Sequence, residues 1–347
     1  MIKIGPYELG PARPFIIAEA GINHNGSLEQ AYAMIEAAKA AGADAVKFQT
    51  FRANEFVTDR SAVYTYRSQG REITEPMLDL FRRHEFPASG WCSIKNKCDA
   101  TGIMFLSTPQ NRSDLDLLLN IGVPAVKIGS DDFNNLPLVR DYATVGLPLL
   151  LSCGMADLGE VHATLTAAGA FDDGKVILLL CTSQYPTPAE DANMRRLTTL
   201  AAAFPGLTLG FSDHTQGTTA ACMAVALGAV VFEKHFTMSQ DLPGPDHWFS
   251  EDPAGMTAWV EAIREAGSML GSPRLQATAA EEAIKLIARR SIVATEDIQT
   301  GTAFDAGNTA LKRPGTGLPP VFFDAVIGRR AARDIKSGEQ IAWGDFR

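Results

Sequence analysis

Residues 207–236 read LTLGFSDHTQGTTAACMAVALGAVVFEKHF, and their alternation of apolar and polar segments decides the fold. Leu207–Phe211 has the composition of a buried strand and ends in Ser212-Asp213-His214. A helical stretch follows, with Ala226–Gly228 as its stop, and then a second apolar run, Val230–Phe232, ends in Glu233-Lys234-His235. Two histidines at neighbouring strand ends, each beside a carboxylate, suit a divalent metal site, since neutral imidazole is a frequent ligand of such ions. A site with only two protein ligands leaves positions for water and substrate, which fits a catalytic ion and not a four-ligand structural zinc. Taken singly, each His could equally close a hydrogen bond at a strand end.

The same unit recurs along the chain. Apolar runs at Phe15–Ala18, Ala45–Phe48, Ile103–Leu106, Ala125–Ile128, Leu147–Leu151 and Val176–Leu180 bring the total to eight. Nearly continuous apolar strands alternating with amphipathic helices indicate a parallel sheet covered by helices. Eight units in about 270 residues predict a closed (β/α)8 barrel over residues 1–272. Ser27 caps a helix expected to run through Ala41, with Gly42 stopping it. The stretch Arg52–Thr101 is too long for one connection and predicts an inserted loop beside the second helix. Residues 273–289 form a linker carrying a short helix over Glu281–Arg289. From residue 290 to 347, short extended pieces between Gly- and Pro-rich turns predict a small β-rich second domain.

Composition narrows the class. The 347 residues are 46% hydrophobic and 20% charged, which gives a full core in a folded domain of ordinary polarity. A net charge of −9 argues against nucleic acid or an anionic membrane as the main partner. Five cysteines, an odd number without zinc-ligand spacing, predict a reduced, cytoplasmic chain. The start MIKIGPYELG has no apolar signal core, and no apolar run reaches the eighteen or so residues of a membrane span.

In a (β/α)8 barrel the C-terminal strand ends form the active site, so the residues after each run can be gathered. They include Glu19, Lys47, Gln49, Ser107, Thr108, Lys127, Ser130, Asp132, Ser152, Ser183, Tyr185, Ser212, Glu233 and, beyond the eighth strand, Asp246. Lys47 and Lys127 among small hydroxyls make a cradle for a phosphate or carboxylate. A purely structural arrangement would put the hydroxyls on helix caps and the lysines in a barrel salt bridge. Among the other histidines, His24 reads as a turn former between Asn23 and Asn25, and His84 and His162 as ordinary surface or helix residues.

Ten segments carry a resemblance: AEAGINHNG, DAVKFQTF, FLSTP, VKIGSDDFNNLPL, LSCGM, CTSQYPTP, GFSDHTQG, EKHFT, GPDH and KRPGTG, in order from residue 18 to 317. They are similar to the sialic acid synthase family, N-acetylneuraminate synthase with its legionaminic and pseudaminic relatives, and the tail resembles their antifreeze-like (SAF) domain. The resemblance implies condensation of phosphoenolpyruvate with an open-chain 2-acetamido sugar aldehyde to a nine-carbon 2-keto acid and phosphate. It implies Mn2+ or Mg2+ on His214 and His235. Lys47, Thr108, Lys127, Ser130, Ser152, Ser183 and Ser212 would then hold phosphoenolpyruvate. Glu19, Gln49, Tyr185 and Asp246 would touch the sugar, and Arg313 would reach it from the partner in a domain-swapped homodimer. Glu233 is the candidate for handling the water's proton, with Asp132 or Glu19 as sharers. Two positions depart from the family's sialic acid enzymes, Asp132 for the usual Glu and Ser183 for the usual Asn. MLDLFRRHEF (77–86) resembles the sialic and legionaminic branches more than the pseudaminic one. Other readings remain: a metal-assisted barrel aldolase or lyase acting on a phosphorylated sugar, and a carbohydrate-binding protein on an inert barrel.

Overall fold

The computed structural model describes residues 2–11, 13–172 and 174–347, and the chain forms two compact units, Met1–Gly271 and Ser272–Arg347. In the first unit eight strands run parallel: β1 Phe15–Gly21, β2 Ala45–Thr50, β3 Met104–Pro109, β4 Val126–Ile128, β5 Leu149–Ser152, β6 Val176–Cys181, β7 Thr208–Asp213 and β8 Val231–His235. Hydrogen-bonded ladders join them in the order β3-β2-β1-β8-β7-β6-β5-β4, and β3 and β4 lie side by side to close the ring. Helices follow the strands on the outside, from Leu28–Ala40 after β1 to Pro253–Leu270 after β8. The first begins at Ser27, whose hydroxyl accepts from Gln30 N, and the chain leaves its far end through Gly42 at φ 86.

Several strands run further than their apolar runs. β7 continues through Ser212 and Asp213, and β8 through Glu233, Lys234 and His235. Ladder bonds belong to the backbone, so polar side chains do not end a strand whose neighbours still supply partners. The parallel register sets Ser212 opposite Glu233, Asp213 opposite Lys234, and His235 opposite Glu19.

Strand pleating divides the core in two. Ile17, Ala45, Leu106, Leu150, Ile177, Leu179 and Val231 fill the barrel interior, closed below by Ile4 and Leu9 of the N-terminal segment. The alternate residues, among them Ile16, Val46, Phe48, Phe105, Leu151, Phe211 and Phe232, face the helices and pack on Trp91, Tyr142 and Trp259. This is the period-2 alternation of a barrel strand, here apolar on both faces.

The expected insertion after β2 is a structured one. It comprises a helical turn, Ala53–Phe56, an antiparallel hairpin of Val63–Ser68 with Arg71–Pro76, and the helix Met77–His84. Its two-residue turn, Gln69-Gly70, has positive φ at both positions (50 and 75), as a tight hairpin of matching twist requires. The second unit opens with the helix Ala279–Ala288, capped by Thr278 and Glu281 in a reciprocal box. It continues as short strands, Ser291–Ala294 paired with Thr309–Lys312, around a core that includes Ile292, Phe304, Leu318, Val326, Ile335 and Ile341. Among the described residues no helix is long and apolar enough to cross a membrane.

Candidate active site

One pleat repeat beyond the apolar interior, the inward side chains become polar. Ile17 is followed inward by Glu19, Ala45 by Lys47 and Gln49, Leu106 by Thr108, Ala125 by Lys127, Leu150 by Ser152, Leu179 by Cys181, and Val231 by Glu233 and His235. All of these polar residues line one cavity of about 490 Å³ at the C-terminal strand ends, together with Ser130, Ser183, Tyr185, Ser212, His214 and Asp246. Because successive side chains on a strand alternate faces, a polar layer two residues above an apolar one must point into the same barrel.

Charge is concentrated at the floor. Lys47 Nζ lies 2.7 Å from Glu19 Oε2 and 3.6 Å from Glu233 Oε1, and Lys127 Nζ also lies 3.6 Å from Glu233 Oε1. Lys47 further donates to Thr108 Oγ1 at 3.1 Å, and Gln49 Nε2 donates to Glu19 Oε1 at 3.2 Å. The two carboxylates differ. Burial pushes Glu19 up to about 7 against the pull of Lys47, whereas Lys127 and Lys47 together overcome burial and hold Glu233 below its ordinary value. Burial also raises Asp246, to about 6. Ser152 Oγ, Ser183 Oγ and Glu233 Oε2 are buried without a hydrogen-bond partner, and such groups need an occupant to satisfy them. Gly154 approaches so closely that a Cβ there would come within 2.3 Å of Ser183 Oγ and 2.6 Å of Ser130 Oγ. Its backbone N–H donates to Ser130 Oγ at 3.0 Å, which fixes one hydroxyl of the cradle.

The histidines stand at the rim of this floor. Their ring centroids are 5.5 Å apart, and the Tyr185 ring lies 4.2 Å from that of His214 and 5.7 Å from that of His235. His214 Nδ1 donates to Thr182 O at 2.8 Å, which leaves Nε2 as the lone-pair nitrogen. His235 Nδ1 is buried without a partner, and burial first, then the charge His214 would carry if protonated and the charges of Lys47 and Lys127, push this imidazole well below its usual range. Neutral imidazole with an unpaired buried nitrogen fits a divalent ion. Among the described residues no group of three or more His, Cys, Asp or Glu side chains comes together in a way that could hold a metal ion.

Behind the pair, Asp213 and Lys234 point outward. Lys234 Nζ lies 3.1 Å from Asp213 Oδ2, which also accepts from Trp259 Nε1 at 2.9 Å. This buried ion pair ties β7 to β8 and the last barrel helix, so the inward residues of both strands keep their register.

Residues 34–274 match the NeuB family and residues 289–347 the SAF domain. The chain belongs to the NeuB family. Among its NeuB-type relatives, the N,N'-diacetyllegionaminic acid synthase of Legionella pneumophila is 37% identical over 333 residues, covering 95% of this chain and 93% of that one. The crystal structure of N-acetylneuraminic acid synthetase from Leptospira borgpetersenii, in complex with citrate, superposes with a TM-score of 0.73 at 31% identity, covering 82% of this chain and 94% of that one. The spore coat polysaccharide biosynthesis protein SpsE of Bacillus subtilis superposes with a TM-score of 0.67 at 37% identity, covering 99% and 98%. The barrel followed by an SAF domain is therefore the architecture of this NeuB-family chain.

Of the residues gathered at the strand ends, Ser107 and Asp132 do not line the cavity. Ser107 faces the helices and bonds Thr50 Oγ1 at 2.7 Å, since the pleat that turns Thr108 inward turns its neighbour out. Asp132 does not line the cavity: it accepts from Asn135 Nδ2 at 2.9 Å inside a local turn, and Asp131 takes the rim position. Arg313 is exposed in the second unit, just after the strand Thr309–Lys312. His84 is a helix residue, the last of Met77–His84, and it is buried, with Nδ1 on Leu80 O at 2.7 Å. His24 does shape its turn, accepting from Gly26 N at 3.0 Å while stacked on Phe86. Both lysines do sit in salt bridges, but inside the cavity. Residues missed by sequence reasoning are Cys181, Asp131, Trp248 and Phe249, and the hairpin segment Tyr64–Arg67. Strand parity would have found Cys181; the hairpin residues carry no local signal.

Proposed function

We propose that this protein condenses phosphoenolpyruvate with the open-chain aldehyde of an N-acylated hexosamine, N-acetylmannosamine or a 2,4-diacetamido relative, giving a nine-carbon 2-keto acid and phosphate. As a NeuB-family chain it is an enzyme of the sialic and legionaminic acid synthase kind. The observation that carries the reading is the cavity floor, where two buried lysines and two partnerless hydroxyls converge beneath a pair of histidines.

Lys47 and Lys127 supply point charges for the phosphate and carboxylate, and the hydroxyls of Thr108, Ser130, Ser152, Ser183 and Ser212 supply donors. Glu19, Gln49, Tyr185 and Asp246 stand where the acceptor must lie. His214 and His235 would hold the divalent ion, Mn2+ or Mg2+, which when bound supplies Lewis acidity at the aldehyde oxygen. The enol carbon of phosphoenolpyruvate bonds to the aldehyde carbon, water adds to the cation left at C2, and C–O cleavage expels phosphate. Glu233, held ionised by two lysines, takes the water's proton, and Glu19, raised toward neutrality, is able to carry one for the nascent hydroxyl. Arg313 completes the acceptor site from the partner of a domain-swapped homodimer in the cytoplasm.

A panel of acceptor sugars assayed with phosphoenolpyruvate tests this. Phosphate and 2-keto acid should appear in equal amounts, and oxygen label in the ester bridge should end in the phosphate. A keto acid formed without phosphate would mark a barrel aldolase instead.

A further inference from the structure

We propose that the hairpin inserted after β2 and the loop following β8 form a clasp that reads the end of the acceptor remote from its aldehyde, with Arg67 and Trp248 as specificity-determining residues. The inference rests on the condensation proposed above and names which part of the protein selects among sugars.

The two segments are stitched together. Gln69 Nε2 donates to Asp241 O at 2.8 Å, and Gly244 N donates to Ser68 Oγ at 3.1 Å. The guanidinium carbon of Arg67 sits 5.0 Å from the centre of the Trp248 ring. On the other side, Asn25 Nδ2 donates to Pro243 O at 2.9 Å, so the loop is pinned at both flanks. Gln69 holds φ 50, a conformation that glycine or asparagine adopts more readily, and its amide is the group that reaches the loop. A residue kept in that region where Gly would be easier points to a use for its side chain.

The clasp also faces the cavity. Tyr64 and Arg67 from the hairpin and Asp246 and Trp248 from the loop line the same space as Lys47 and His235. Arg67 is exposed and Trp248 half-buried, so neither serves the hydrophobic core. With the anion cradle on β2 to β7 and the aldehyde directed to the histidine pair, the remaining length of the sugar extends toward the clasp. A guanidinium stacked on indole is held in place by an interaction of about 0.5–1 kcal/mol, and its fork of donors suits carbonyl and hydroxyl oxygens of a neutral substituent. The indole face beside it suits C–H groups of a deoxy or acylated carbon.

The test uses two acceptors that differ only away from the aldehyde end, N-acetylmannosamine and 2,4-diacetamido-2,4,6-trideoxymannose. Steady-state constants for both are measured with the wild-type enzyme, Arg67→Ala, Arg67→Lys and Trp248→Ala, together with the KM for phosphoenolpyruvate. The expected result is a change of about tenfold or more in the ratio of kcat/KM values in Arg67→Ala and Trp248→Ala. The phosphoenolpyruvate KM should stay within about twofold, and Arg67→Lys should fall between wild type and Arg67→Ala because it keeps charge and loses the planar fork. A ratio unchanged within about twofold in all three variants would overturn the assignment while leaving the reaction intact. So would a parallel rise in the phosphoenolpyruvate KM. Absence of turnover by the wild-type enzyme with either sugar would instead overturn the reaction and the assignment together.

Discussion

Lys47 Nζ is 2.7 Å from Glu19 Oε2, and both side chains are almost wholly shielded from water. The register that sets Glu19 beside Lys47 on adjacent strands makes this contact unavoidable once the barrel closes. Breaking such a pair from one side strands a charge in low dielectric. Lys47→Met should therefore lower stability by about 3–5 kcal/mol. Adding Glu19→Gln to it should recover part of that loss, measured by denaturant unfolding of the three variants. A double variant no more stable than Lys47→Met would show that the pair is not coupled.

Gly154 fits between Ser130 and Ser183 because it has no Cβ. Gly154→Ala should push both hydroxyls out of the cradle and raise the KM for phosphoenolpyruvate by about tenfold or more, the scale of one or two lost hydrogen bonds to a charged group. The acceptor KM should change far less. Equal changes in both would place the cradle elsewhere.

His235→Ala should abolish turnover, and wild-type turnover should vanish on exhaustive chelation and return with Mn2+ or Mg2+. Wild-type enzyme still fully active after chelation would exclude a role for the ion at His214 and His235.

Arg313→Ala and His235→Ala proteins, each inactive alone, should complement when mixed if Arg313 acts across a symmetric dimer. Random exchange puts half of the chains' pairs in mixed dimers with one complete site each, so about a quarter of wild-type activity is the expected ceiling. Subunit exchange verified by mass spectrometry with no activity recovered would refute the swapped arrangement.

Asp246 carries a carboxyl raised to about 6 by burial. Between its ordinary value near 3.8 and that raised value the native state binds more protons than the unfolded chain. Stability from this group is therefore full below the lower value and is lost as pH rises toward 6. Asp246→Asn has no such loss, so its stability relative to wild type should grow by about 1–2 kcal/mol between pH 4 and 7, discounted for the partial exposure of Asp246. A difference that is flat with pH would mean that the carboxyl is not raised.

What the chain alone determines here is the barrel and the identity of most of its floor. Eight apolar runs with polar ends, spaced by helices, admit few other architectures, because backbone pairing and burial of both strand faces leave little choice. Lys47 and Lys127 were legible as lone charges near the ends of such runs, and Ser152, Glu233 and the two histidines because they stand past the end of one. Which of two adjacent polar residues faces inward was not. Thr108 and Ser107 have nearly equivalent local surroundings, as do Asp131 and Asp132, and the choice depends on pleat phase and turn closure set by neighbouring strands. The clasp was hidden for a stronger reason. Gln69 meets Asp241 across 172 positions of chain, and no periodicity or local propensity encodes a contact that exists only when the ring of strands brings β1, β2 and β8 together.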